Sequence, residues 1–186
     1  VERLAGRSFE DLLAETILDP LDLAATTYGD ARAVVPGRGP WYSRIDFSGP
    51  QPRLAERIHA IWVPYPALAH PCAALNTTAL DLARFVDAVA VGRLLAQDTV
   101  AAMWQAQTLR GGEPAGPDPD SGMGLGWIVE ALGERTLVGG SGGATAAFRH
   151  VVEDGLTVVV LTNLQGANPD GLATEIAAGL LGIPAA

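Results

Sequence analysis

Lysine is absent: all twelve cations of the chain are arginines. This excludes any mechanism in which the chain alone supplies a lysine as base, Schiff-base former or phosphate ligand. Arginine cannot stand in as the base, because it stays protonated at any working pH. Cysteine is nearly absent too. A single residue, Cys72, cannot form an internal disulfide and reads as a buried small hydrophobe. Positive charge is scarce, with 12 cations against 21 acids and a formal net charge of −9. No basic run or face offsets this, so neither nucleic acid nor an anionic membrane is expected as a partner. No stretch reaches about 18 uninterrupted apolar residues, so no transmembrane helix is expected. No secretory signal is visible either. The chain opens in mid-pattern, and Val1-Glu-Arg-Leu-Ala-Gly reads as the tail of a helix whose start is missing.

What is present fits one domain. A chain of 186 residues can bury roughly 70% of its unfolded surface. Its 48% hydrophobic fraction, with 22 Gly and 13 Pro, describes a globular chain with many irregular connections. The organising stretch runs from Gly122 to Asn163. It holds four short segments rich in β-branched or aromatic residues, separated by Gly133-Glu134, Gly142-Gly143 and Asp154-Gly155. Asp-Gly between apolar runs signals a tight hairpin whose two central residues take positive φ. The pattern predicts an antiparallel meander. Its last strand, Leu156 to Leu161, is almost wholly apolar and is expected to be buried on both faces.

Upstream, Gly6 is placed to end the first helix. Ser8 caps a second, with Asp11 at N3, and Phe9, Leu12, Leu13, Ile17 and Leu18 form its stripe up to Asp19-Pro20. From Thr26 to Ala69 prolines and glycines break the pattern, while Tyr28, Trp41, Tyr42, Phe47, Trp62 and Tyr65 are scattered through it. Six aromatics argue for a long excursion packed over the domain, rimming a cleft, rather than a disordered linker. Thr78, with Asp81 at N3, caps a helix ending near Gly92. Another helix spans Gln97 to Gln107, and Asn168 or Asp170 starts the last. Helices, then a meander, then a closing helix give an α+β order, with helices packed on an antiparallel sheet.

Gly139-Gly140-Ser141-Gly142-Gly143 is the chemically pointed stretch. Five small residues at a strand end let a ligand or another backbone approach closely. One reading is a glycine-rich strand end or bulge. The other is a cleft wall whose backbone N–H groups stabilise an oxyanion. Gly139-x-Ser141-x-Gly143 also matches the nucleophile elbow, but that motif needs a helix after the serine and an acid before a downstream histidine. Here strand follows, and only His150 lies downstream. The histidines His59, His70 and His150 show no metal-ligand spacing and read as surface or packed residues, although His150 could face the cleft. Turn chemistry accounts for Tyr28-Gly29-Asp30 and Tyr42-Ser43-Arg44. No metal or cofactor is expected.

Several stretches, in order, resemble the C-terminal half of the serine β-lactamase-like hydrolases, a family of class C β-lactamases, D-alanyl-D-alanine carboxypeptidases and related esterases. They are Val1 to Leu13 with Ile17-Leu-Asp-Pro-Leu-Asp-Leu, Leu75-Asn-Thr-Thr-Ala-Leu-Asp-Leu-Ala-Arg-Phe, Gly124-Leu-Gly-Trp, Val138-Gly-Gly-Ser-Gly-Gly and Gly155-Leu-Thr-Val-Val-Val-Leu-Thr-Asn. The resemblance implies a partial β-lactamase/transpeptidase-like fold. It implies a chemistry built on Ser-x-x-Lys, Tyr-x-Asn and a Lys/His-Ser/Thr-Gly strand. Only the third is matched, at Gly140-Ser141-Gly142, with Gly140 where the family has a cation. By the same resemblance Ser141 Oγ touches substrate and the Gly143 N–H is one oxyanion donor, the other belonging to the absent nucleophile. The expectation is one partial domain over residues 1–186, with an excursion at 26–69, lacking an N-terminal half and inactive alone. Its parent would cleave a small-molecule or peptide amide or ester. Two alternatives are a non-catalytic binding or regulatory module on the same fold and an independent hydrolase using Ser141.

Overall fold

The computed structural model describes residues 1–28, 33–46, 48–61, 72–73, 75–116 and 121–184. Three of its helices begin where short polar side chains satisfy free N–H groups. After α1 (Glu2–Ala5), Gly6 takes the left-handed conformation at φ 65°. Ser8 Oγ accepts the Asp11 N–H at 3.0 Å and opens α2 (Phe9–Leu13), which runs on into a π-helical turn at Ala14–Leu18. Thr78 caps α3 (Ala79–Ala90) in the same way. Its N3 residue, Asp81, is buried and also accepts the Ala25 N–H and the Thr26 hydroxyl, each at 3.0 Å. The capping carboxylate thus ties a connection 56 residues away to the helix start. Helix α4 (Gln97–Met103) is shorter than expected. Past it the chain bonds elsewhere: Leu125 N–H to Met103 O, and Gln107 N–H to Met123 O.

The excursion carries its own strands. β1 (Thr27–Tyr28) pairs with β4 (Leu75–Asn76). β2 (Trp41–Asp46) and β3 (Arg53–Ile61) form an antiparallel hairpin. Tyr42-Ser43-Arg44 is therefore strand, not turn. Ser43 is buried where the register slips, and its hydroxyl accepts the Ile45 N–H at 2.8 Å. Flanking Pro and Gly had hidden a short period-two segment. Trp62, Tyr65, Phe47 and His70 lie outside the described residues.

The meander is present. β5 (Gly122–Met123), β6 (Ile128–Leu132), β7 (Arg135–Gly142), β8 (Ala146–Val151) and β9 (Leu156–Leu161) pair in sequence order, every neighbour antiparallel. Then β10 (Leu164–Gln165) crosses to run parallel with β2. Asn168 caps α5 (Pro169–Leu181), which ends at Gly182 with φ 66°. Two corrections concern β9. The Asp154-Gly155 turn is a four-residue loop, since Val151 pairs with Leu156 and only Gly155 has positive φ. Asp154 is engaged by Arg135 at 2.5 Å and Glu153 accepts the Thr136 N–H, which draws the loop over the start of β7. Among the described residues the apolar β9 is also an edge strand, with Val158 buried and Leu161 exposed. Its apolar character comes from the helices on its two faces, α5 and α3.

Alternation divides the core between those faces. Against α5, Leu132, Leu137, Ala147, Val151 and Val158 meet Ala173, Ala177 and Ala178. Against α3 and α4, Val138 and Trp127 meet Val86, Val89 and Val100. Each fully buried Val or Leu contributes about 1.5–3 kcal/mol, enough to hold the central strand β7 rigidly.

Candidate functional site

β7 outruns its neighbour. β6 pairs only as far as Ile128 with Gly139, whereas β8 continues opposite Gly140, Ser141 and Gly142. Among the described residues the last three of β7 therefore have a free edge. Leu132 and Arg135 flank the two-residue Gly133-Glu134 turn, where Gly133 has φ 62°. That pair exchanges both hydrogen bonds, and every second residue along β7 then turns its N–H and C=O toward β6. Counting on through Leu137 and Gly139, Ser141 aims its N–H and C=O at the uncovered side. Gly143 and Ala144 follow with φ 59° and 54°, and Thr145 N–H closes the turn on Gly142 O at 3.1 Å. Ser141, Gly142 and Gly143 are exposed.

The glycines have separate reasons. A Cβ on Gly139 would lie 2.3 Å from Phe148 O and 3.0 Å from Arg149 Cδ and Nη1. On Gly140 it would meet the Phe148 ring at 3.0 and 3.1 Å. Gly143 supplies a left-handed turn residue. A Cβ on Gly142 would meet nothing within 4 Å. Packing and turn geometry thus explain three of the four glycines, and neither explains Gly142.

Behind Gly139 lies Arg149, which the sequence did not single out. It is buried, donates to Asp170 at 2.9 Å and to Phe148 O at 3.1 Å, and sits 3.6 Å from Glu130. One guanidinium therefore joins β6, β8 and the first turn of α5 beneath the glycine-rich strand. A lone cation within a glycine-bordered apolar strand was the available signal. Cys72 corrects a further expectation: it is exposed, in a short turn just before β4.

His150 does not serve Ser141. Ser141 stands opposite Ala147, so His150, three residues on, points through the other face of the sheet. It is buried, with its ring 5.4 Å from that of Trp104. Thr157 Oγ1 donates to Asp87 at 2.5 Å and so accepts from His150 Nδ1 at 2.9 Å, which places a proton on Nδ1. Burial lowers its pKa, against a smaller opposing pull from Asp87. His59 lies on β3 and is exposed. Among the described residues no group of His, Cys, Asp or Glu could hold a metal ion. None of them hydrogen-bonds the Ser141 hydroxyl, and strand β8, not a helix, follows it. Among the described residues the elbow and the independent Ser141 hydrolase both lack their partners.

A family model described as Beta-lactamase matches residues 1–182. No curated protein matches the sequence. Among solved structures the chain is similar to a D-stereospecific amidohydrolase from Streptomyces sp. (23% identity, TM-score 0.73, 98% of this chain and 51% of that one). It is also similar to an octameric penicillin-binding protein homologue from Pyrococcus abyssi (22%, 0.75, 98% and 40%). A third is a D-amino acid amidase from Ochrobactrum anthropi SV3 (18%, 0.71, 97% and 55%). At these identities the likeness is one of fold. The chain spans about half the length of the structures it matches.

Proposed function

The chain belongs to the beta-lactamase family, and from that premise we propose that it is part of a serine hydrolase acting through an acyl-enzyme on an amide or ester. Gly140 to Gly143 form one wall of the cleft. The observation that carries this is the free edge of β7. It presents the Ser141 backbone groups, an uncommitted hydroxyl and a Gly142 that no packing contact requires. Such an edge can align an extended substrate, and preorganised N–H groups stabilise a developing oxyanion. The amidohydrolase and amidase among its structural relatives fit that class of reaction. The nucleophile is assigned to another part of the parent protein: the chain has no lysine for Ser-x-x-Lys, and no base among the described residues hydrogen-bonds Ser141. Residues 1–186 are therefore a partial domain, inactive alone.

The test compares residues 1–186 with the whole reading frame that contains them, using a fluorescent penicillin and an activated ester. The whole product is expected to label or turn over, and residues 1–186 to do neither. Turnover by residues 1–186 above a Ser141→Ala control would sink the partial-domain reading. The second reading, a non-catalytic binding module, rests on Gly140 standing where the resemblance places a cation. An inert whole product that still binds the penicillin reversibly selects it.

A further inference from the structure

We infer that the place beside Gly140 is an aromatic subsite for an uncharged group of the substrate. On the hydrolase reading above, on which this rests, the preferred ester or amide carries an apolar group, not a carboxylate, next to the cleaved bond. Gly140 stands between two rings. Phe148 is its direct partner on β8. On the other side β6 pairs last at Ile128 with Gly139, and Trp127 is the next residue back. Side chains alternate along a strand and match across it, so Trp127, Gly140 and Phe148 share a face, the one that carries Val138. The two rings meet across the glycine edge to face, 5.2 Å between centroids and 83° between planes. Neighbouring strands lie about 4.8 Å apart, so rings rooted on β6 and β8 can close on each other over β7 where the residue between them has no side chain. A Cβ on Gly140 would meet the Phe148 ring at 3.0 Å. Behind the pair, Trp104 packs edge-on against Trp127 at 5.6 Å.

Trp127 is buried and holds Phe148 from behind, whereas Phe148 is half-buried and lies opposite the residue before Ser141. Its ring therefore borders the exposed end of β7. Strands β6, β7 and β8 carry two arginines, and neither serves this place. Arg135 sits at the far end of β7, engaged by Asp154. Arg149 stands opposite Gly139, one residue along from Phe148, so it points through the opposite face, where Asp170 and Glu130 hold it. His150 shares the face of Phe148, but it is buried and its Nδ1 is committed to Thr157. A carboxylate brought beside Phe148 would lose water and meet no cation of these strands. The net charge of −9 also opposes the approach of an anion. An aryl or alkyl group gains contact with the ring instead, and leaves its polar atoms to the free backbone groups of Ser141.

The test uses the whole product and p-nitrophenyl esters of phenylacetate, acetate and glutarate, the last with its far carboxyl either free or methylated. The methylated glutarate is expected to exceed the free one in kcat/KM by at least about tenfold. Phe148→Leu, which keeps the apolar volume and removes the ring, is expected to lower the phenylacetate-to-acetate ratio of kcat/KM by about two- to tenfold. Phe148→Arg, which puts a cation in the place of the ring, is expected to narrow the gap between the two glutarates. If Phe148→Arg does not fold, Phe148→Leu decides. Equal turnover of the two glutarates, or a phenylacetate ratio that Phe148→Leu does not move, overturns the subsite and leaves the hydrolase reading intact. If the whole product hydrolyses none of the esters, the hydrolase reading falls and binding decides the subsite, read by tryptophan fluorescence during titration with phenylacetamide and with phenylacetate. Tighter binding of the amide, weakened by Phe148→Leu, sustains an uncharged aromatic subsite without hydrolysis. No preference between the two ligands overturns both.

Discussion

Replacing Gly139, Gly140 and Gly142 by alanine, one at a time, separates packing from function at the end of β7. At Gly139 the new methyl would lie 2.3 Å from the Phe148 carbonyl oxygen. A backbone atom inside a paired strand cannot swing aside, so β7 and β8 must part. Overpacking of this kind costs about 1–3 kcal/mol, and a backbone collision places it at about 3. For a chain of this size 1 kcal/mol moves Tm by about 2–4 °C, so Gly139→Ala should melt roughly 6–12 °C lower. At Gly140 the methyl meets only the edge of the Phe148 ring at 3.0 Å. The ring can tilt, and the smaller entropy of the unfolded chain returns about 0.4–1 kcal/mol, leaving a loss of about 2 °C. At Gly142 the methyl would meet nothing within 4 Å and φ is not positive. Gly142→Ala should therefore leave Tm unchanged or raise it slightly. Far-UV circular dichroism on heating, with urea midpoints as a check, reads the series. A fall at Gly142 as large as that at Gly139 would refute the assignment of these glycines to different causes. The same variants in the whole product test the cleft wall: Gly142→Ala is expected to impair hydrolysis without loss of stability.

Stability should also depend on pH through His150. Burial lowers its folded pKa below the ordinary 6.5, so the unfolded chain takes up the proton first. The contribution is whole above about pH 6.5 and is lost as pH falls through the folded value; urea midpoints between pH 8 and 4.5 should decline, and less steeply in His150→Gln. Arg149→Met should cost about 2–4 kcal/mol by stranding Asp170 and Glu130, below the full cost of a broken buried pair because both carboxylates are partly exposed. Arg149→Met as stable as the parent chain in calorimetry would show that this guanidinium does not hold the strand.

The parts legible in the sequence were those encoded locally. Ser8, Thr78 and Asn168 announce helix starts because capping uses neighbouring atoms, and the order of the meander follows from glycine turns between apolar runs. The β-lactamase/transpeptidase-like α+β fold followed from these and from the family resemblance. What could not be read depends on long-range geometry. β9 as an edge, Arg149 beneath Gly139, and Ser141 and His150 on opposite faces follow only from which strands become neighbours. Asp154-Gly155 misled because the side chain of Asp154 is taken by Arg135, a contact that no local turn preference contains. The β2–β3 hairpin was missed because its strands are bordered by breakers.

The pairing of β2 with β10 has a kinetic consequence. Ser43 and Gln165, joined there by a hydrogen bond of 3.1 Å, are 122 residues apart. The meander closes through connections of two to four residues, at little entropic cost. Bringing β2 to β10 closes a loop of well over half the chain, and among the described residues two ladder pairs and a few hydrogen bonds from Asn163 and Gln165 reward it. The meander should thus form before the excursion docks, and unfolding should release the excursion first.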